Sequence, residues 1–337
     1  MTAATLVTGA TGFTGQWLVR RLLSHGEPVR ILARSRERAR ALYGGAVDIV
    51  AGDITDPAVV ARAVPGCRIV YHLAAAYREA GLPDDRYRQV HVEATRLLLE
   101  AAQAERVSRF VHCSTVGVLG HIRNPPADES SPHDPGDVYQ ATKSEGERLA
   151  IAFHQRHGLP LAVARPTAIY GPGDLRLLKL FRLIARRRFI VLGSGDIFYH
   201  MVHVDDLVSG LRLLAERPEA VGEVFILGGE GYRTLNEIAA LVAHVVGAPP
   251  PRWHVPAWPV QIAASACERV CAPLGVTPPI YRRRVDFFTK SRAFSIEKAR
   301  RMLGYEPQIS MERGFEQTAA WYCEHGYLPR VDGRTAS

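Results

Sequence analysis

The chain has little of what marks a membrane, secreted or metal-binding protein. No apolar run is long enough to span a bilayer; the most apolar late stretch, Val255 to Ala266, is interrupted by Pro256 and Pro259. Five cysteines in 337 residues (67, 113, 267, 271 and 323) form no metal-ligand spacing, so no metal is expected, and the odd count fits a reducing cytoplasm. Cys267 and Cys271, four apart on one helical face, are expected as buried thiols. The sequence opens on a strand and not on a basic leader, which again points to the cytoplasm. There is no internal repeat, and an apolar fraction of 47% excludes disorder. Acidic residues are the minority charge: 34 Asp and Glu against 42 Lys and Arg leave +8. The basic runs Arg186-Arg187-Arg188 and Arg282-Arg283-Arg284 lack interleaved aromatics and no nucleic-acid motif accompanies them. Solvated faces, or attraction of an anionic cofactor, account for the charge, and no nucleic-acid partner is expected.

What is present is concentrated at the start. Leu6-Val7-Thr8-Gly9-Ala10-Thr11-Gly12-Phe13-Thr14-Gly15 is an apolar run ending in glycines three apart, followed by an amphipathic segment (Trp17, Leu18, Val19, Leu22, Leu23). A strand turning sharply into a helix has this form. One glycine permits positive φ, one admits a pyrophosphate, and one packs helix on sheet; the phosphates then meet the helix's positive end. Val29 to Ala33 supplies the next strand at βαβ distance. Where an acidic residue would hold a ribose 2′-hydroxyl the chain has Ala33, then Arg34 and Arg38, whose guanidinium groups suit a 2′-phosphate. NADP is therefore favoured, with NAD as the alternative. Val47 to Ile54 ends a strand at Asp53, placed to accept from the adenine amino group while Ile54 packs on the ring. Asp56-Pro57 marks a helix cap and first position. After the strand Arg68 to Leu73, the small residues Ala74, Ala75 and Ala76 let a cofactor lie close. A helix is expected from about Arg88 to Ala104 and a strand from Phe110 to Thr115.

Tyr139 and Lys143 open a further helix and share a face at i and i+4. An unperturbed tyrosine has a pKa near 10. A neighbouring ammonium and a nicotinamide's positive charge would lower it, making Tyr139 an acid–base, while Lys143 also bonds the nicotinamide ribose. Thr115, at a strand end, orients the substrate oxygen. Of 12 tyrosines only Tyr139 has a lysine four residues on.

These pieces resemble an extended short-chain dehydrogenase/reductase of the NAD-dependent epimerase/dehydratase group. The matching segments are Thr8 to Gly15, Gly52-Asp53-Ile54-Thr55-Asp56, His72-Leu73-Ala74-Ala75, Ser114-Thr115, Tyr139-x-x-x-Lys143, Arg165-Pro166 through Ile169-Tyr170-Gly171-Pro172-Gly173-Asp174, Val202 to Leu207, and Lys298 to Pro307. The resemblance implies an α/β Rossmann-type doubly wound parallel sheet with a smaller C-terminal α/β substrate domain. Residues 1–171, with 200–229 returning, would bind the dinucleotide, and 172–199 with 230–330 the substrate, leaving 331–337 as a tail. It implies Tyr139, Lys143 and Thr115 as the catalytic set and a homodimer built on the Tyr139 helix. Candidate cofactor contacts are Gly9, Thr11, Gly12, Phe13, Thr14, Gly15, Arg34, Arg38, Asp53, Ile54, Leu73, Ala74, Ala75, Lys143 and Pro166. One departure is His91, where the family usually has asparagine.

The second half bears on the substrate, a small molecule. Nucleotide-sugar members typically carry asparagine at the position of Ala168 and often arginine at that of Tyr199; without both, a diphosphate is harder to hold. The Arg165-Pro166-Thr167-Ala168 pattern looks more like the hydroxysteroid dehydrogenase and dihydroflavonol reductase branch, with Ala76, Thr115, Tyr139, Thr167 and Tyr199 as candidate substrate contacts. Trp253, Trp258, Phe287, Phe288 and Phe294 suggest an apolar pocket wall or lid, and Asp205 a helix cap. Two alternatives stay open: a nucleotide-sugar epimerase or dehydratase, with Arg176, Lys179, Arg282 or Arg292 meeting the diphosphate, and a non-catalytic NAD(P)-binding sensor.

Overall fold

The computed structural model describes residues 3–76, 83–271 and 289–329. Its first half alternates strand and helix: β1 (Ala4–Thr8), α1 (Phe13–Ser24), β2 (Val29–Ala33), α2 (Arg36–Tyr43), β3 (Asp48–Ala51), α3 (Pro57–Ala63), β4 (Cys67–His72), α4 (Asp84–Arg88), α5 (Ala94–Ala104), β5 (Arg109–Cys113), α6 (Val138–His157) and β6 (Leu161–Pro166). Then follow β7 (Ala168–Tyr170), α7 (Leu178–Ala185), β8 (Val191–Leu192), β9 (Phe198–His203), α8 (Val204–Glu216), β10 (Val224–Leu227), β11 (Tyr232–Thr234), α9 (Leu235–Val245), β12 (His254–Val255), α10 (Ala257–Cys271), α11 (Glu297–Leu303) and α12 (Met311–Glu324).

Seven strands form one parallel sheet in the order β10-β6-β5-β4-β1-β2-β3. Its central strands are covered on both faces, which is why Ile69-Val70-Tyr71 and Phe110-Val111 are continuous apolar runs and not alternating ones. α1 buries Leu18, Val19 and Leu22 against the sheet, each contributing about 1.5–3 kcal/mol. The strand order reverses between β1 and β4, so a crevice opens beyond their carboxyl ends, where doubly wound sheets bind ligands. The smaller sheet β11-β9-β7 packs with α7, α9 and α12 in a separate core around Phe181, Tyr170, Phe315 and Tyr322.

Several local expectations are corrected. The helix expected from Arg88 begins at Asp84 and includes a π-helical turn, Gln89–Glu93, before α5. His203, not Asp205, caps α8; Asp205 lies in the first turn and pairs with Arg21 at 2.5 Å. Cys267 and Cys271 are only half-buried, 4.0 Å apart. Trp253 and Trp258 stand largely in solvent, whereas Phe294 is buried against the main sheet. Phe287 and Phe288 lie outside the described residues. Among those described, no helix is long and apolar enough to cross a membrane.

Candidate active site

The turn after β1 is set by two positions that exclude a side chain. Gly9 has φ +71°, and a Cβ there would lie 2.8 Å from the Leu73 carbonyl carbon and the Ala74 nitrogen beyond β4. On Gly15 it would lie 2.2 Å from the Gly9 carbonyl oxygen. Gly12 opens α1 with no side-chain cap, so the first-turn N–H groups keep their positive end for an anion. That combination fits a dinucleotide pyrophosphate. Arg34 and Arg38 follow β2 on the surface, and Arg38 Nη2 reaches back to the Thr11 carbonyl at 3.3 Å. Asp53 accepts from the Thr55 amide and hydroxyl on one oxygen and pairs with Arg86 on the other, while Ile54 is buried beneath the sheet.

Tyr139 and Lys143 lie in the first turns of α6, capped by Asp137. Tyr139 is half-buried among Ala76, Tyr87, Val90 and Val138. Lys143 is buried and donates to the Cys113 carbonyl at 2.6 Å; burial pulls its pKa below the usual lysine value. Thr115 caps the short 3₁₀ turn Val116–Leu119, accepting from the Gly117 amide at 3.1 Å. The Gln140 side chain lies against Gly117, which brings that turn to the start of α6. Tyr, Lys and Thr thus come from α6 and the end of β5.

Sequence reasoning did not foresee how this group is supported. Ala76 N–H donates to His91 Nε2 at 3.1 Å, so the proton of this neutral ring is on Nδ1, which donates to Thr142 Oγ1 at 2.9 Å. The Thr142 hydroxyl in turn donates to the Val138 carbonyl at 2.7 Å. Burial, with Lys143 nearby, pushes His91 down to about 2 and keeps it neutral. Its ring stands at 84° to that of Tyr139, with centroids 5.4 Å apart. The π turn carries His91 into this position. A second chain runs from β1: Ala74 N–H to Thr8 Oγ1 (3.2 Å), Thr8 to His72 Nδ1 (2.9 Å), His72 Nε2 to Thr95 Oγ1 (3.0 Å), and Thr95 to the His91 carbonyl (2.7 Å). Because Thr95 donates to a carbonyl, His72 must donate from Nε2 and accept from Thr8.

Behind α6 the buried Glu147 accepts from Ser114 and, at 2.6–3.2 Å, from Arg165 of β6. Burial alone would raise its pKa, but the bonds and charge of Arg165 and the bond from Ser114 hold it at about 2. His133 accepts from Arg165 at 2.7 Å and bonds Ser144 at 2.7 Å, tying the loop before α6 into the same cluster. The pair holds its geometry because nearly every lone pair is used.

The model described as the NAD dependent epimerase/dehydratase family matches residues 5–228. The chain belongs to the NAD-dependent epimerase/dehydratase family. As such it is an NAD(P)-dependent oxidoreductase of the extended short-chain dehydrogenase/reductase type. The chain is 32% identical to sterol demethylase protein B of Methylococcus capsulatus over 96% of its own length and 99% of the relative's. It is 31% identical to the 3 beta-hydroxysteroid dehydrogenase/Delta 5-->4-isomerase of Mycobacterium tuberculosis, covering 94% and 90%. The crystal structure of DesIV, a dTDP-glucose 4,6-dehydratase of Streptomyces venezuelae with NAD bound, superposes with a TM-score of 0.76 at 27% identity, covering 97% and 99%. On the far side of this site Pro166 ends β6 and Thr167 follows it, its Oγ1 buried with no partner among the described residues. Tyr199 is buried in β9, where burial raises its phenol and Arg292 faces it.

Proposed function

We propose that the protein exchanges hydride between NADP and the carbinol or ketone carbon of an apolar substrate of hydroxysteroid or dihydroflavonol type. The observation that carries this reading is that positions 168 and 199 hold alanine and tyrosine in place of an asparagine and an arginine, with Arg176 already engaged by Asp174 (2.7 Å) and the Ile169 carbonyl (2.7 Å). Likeness over nearly the whole chain to a sterol demethylase protein and a hydroxysteroid dehydrogenase supports it. Ala33 at the end of β2, with Arg34 beyond it and Arg38 against the glycine turn, supports NADP. Residues 1–171 and 200–229 form the dinucleotide part in this reading, 172–199 and 230–330 the substrate part, and α6 the core of a homodimer interface in the cytoplasm.

The glycine turn, the start of α1, Asp53, Ile54 and Leu73 to Ala75 hold the cofactor, which when bound supplies or accepts the hydride. Tyr139 gives or takes the proton at the substrate oxygen. Thr115 orients that oxygen, and Lys143 favours the ionised phenol by its charge. Ala76, Thr167 and Tyr199 border the substrate.

The likeness to DesIV favours a second reading, a nucleotide-sugar dehydratase or epimerase. A thermal-shift titration with NADP, NAD and a set of nucleotide diphosphates, followed by NADPH oxidation with steroid ketones, separates the two. Stabilisation by NADP but by no nucleotide diphosphate, with ketone-dependent oxidation, is expected. Additive stabilisation by one nucleotide diphosphate would overturn the proposal in favour of the second reading.

A further inference from the structure

Five of the exposed large apolar residues fall in one short stretch: Trp253 (77% exposed), Val255 (40%), Trp258 (64%), Ile262 (62%) and Val270 (62%). On α10, Trp258, Ile262, Ala266 and Val270 recur every four residues and share the solvent face. The opposite side, with Val260, Ala264 and Cys267, is apolar as well, yet among the described residues none of α10 joins the main hydrophobic clusters. An exposed apolar helix face is normally covered by something. Charge identifies what. Residues 249–292 hold seven Lys and Arg against two Asp and Glu, more than half of the chain's net +8. Arg252 beside Trp253 and Arg269 beside Val270 are exposed. By sequence this stretch carries a surplus of five positive charges, which sets two copies against one another and suits an anionic partner. Tryptophan flanked by arginine on a short amphipathic helix is the composition suited to the boundary between headgroups and acyl chains. At 15 residues the helix is about 22 Å long, too short to cross a bilayer and suited to lie along one.

We propose that α10, with Trp253 before it, docks the protein on an anionic lipid bilayer, Trp258, Ile262 and Val270 entering the acyl boundary and Arg252 and Arg269 meeting lipid phosphates.

The test is sedimentation of the full chain with phosphatidylcholine vesicles, alone or with about 30% phosphatidylglycerol. Tryptophan quenching by brominated phosphatidylcholine is read in parallel. Binding at least about tenfold tighter to the anionic vesicles is expected, weakening several-fold from about 0.1 to 0.5 M salt. The bound protein's tryptophan emission is quenched. Trp258→Glu with Ile262→Glu abolishes binding while the thermal shift by NADP is kept; should that variant misfold, Arg252→Gln with Arg269→Gln removes the preference for anionic lipid. No sedimentation of wild type with anionic vesicles overturns the proposal. So does unquenched tryptophan, binding unaffected by either substitution pair, or a wild-type dimer that the glutamates dissociate without any vesicle binding. Because these readouts need no substrate, they stand apart from the assignment of the reaction.

Discussion

Thr8, His72, Thr95, His91 and Thr142 on one side of the site, and Thr167, Asp174, His200 and His203 on the other, are all buried or nearly so, yet they are satisfied to different degrees. The first five form linked hydrogen bonds that assign a direction to every proton. His112, beside them, is the exception, with neither nitrogen bonded among the described residues. In the second group Thr167 Oγ1, Asp174 Oδ2, His200 Nδ1 and His203 Nε2 lack a partner among the described residues. Under the proposed function the difference separates two tasks. Chemistry at one oxygen needs fixed geometry, and the α5–α6 side supplies it through side chains that hold each other. Recognition varies with substrate, and the side after β6 keeps its polar atoms uncommitted, at a cost in desolvation.

The contrast can be broken experimentally. Tyr139→Phe should have the largest effect, lowering kcat with a ketone by about 10²–10⁴-fold while stabilisation by NADP is unchanged; retained turnover would place the proton donor elsewhere. Glu147→Ala leaves the Arg165 charge buried and alone, so urea denaturation should show a loss of about 3–5 kcal/mol. Thr167→Val, on the uncommitted side, should stay within about 1 kcal/mol of wild type. Arg38→Ala should weaken NADP binding about tenfold to a hundredfold and leave NAD binding alone, as measured by calorimetry.

A further test concerns pH. His72, His91 and His112 are held below the usual 6.5 mainly by burial, His91 to about 2 and His112 to about 3. Below pH 6.5 the unfolded chain takes up protons on them and the folded chain does not, so stability falls as pH falls. The loss is about 1.4 kcal/mol per pH unit for each group. His91→Asn should flatten that slope by about one proton in denaturation between pH 6.5 and 4.5.

Much of this was legible in the residues. Glycines three apart after an apolar run, and a lysine four residues after Tyr139, each answer to local geometry, and the sheet and α6 follow from them. The supporting bonds did not show, because each joins distant positions: Ser114 to Glu147, His133 to Arg165, His91 to Thr142. Glu147 in a helix resembles any solvated glutamate until β6 supplies its arginine. The π turn escaped because one extra residue in a helical period leaves apolar spacing almost intact. Asp205 was misplaced because His203 can cap through its ring nitrogen, which frees the aspartate for Arg21. The aromatics of the C-terminal half were the least legible, since Trp253 and Phe294 differ in burial and not in type.

The histidine and threonine framework also decides where a proton cannot travel. Both threonine hydroxyls that close it end on backbone carbonyls, those of His91 and Val138. A carbonyl has no hydrogen to hand on. The framework is therefore an electrical insulator behind Tyr139, and a solvent isotope effect on turnover would report on Tyr139, Lys143 and water while the histidines stay silent.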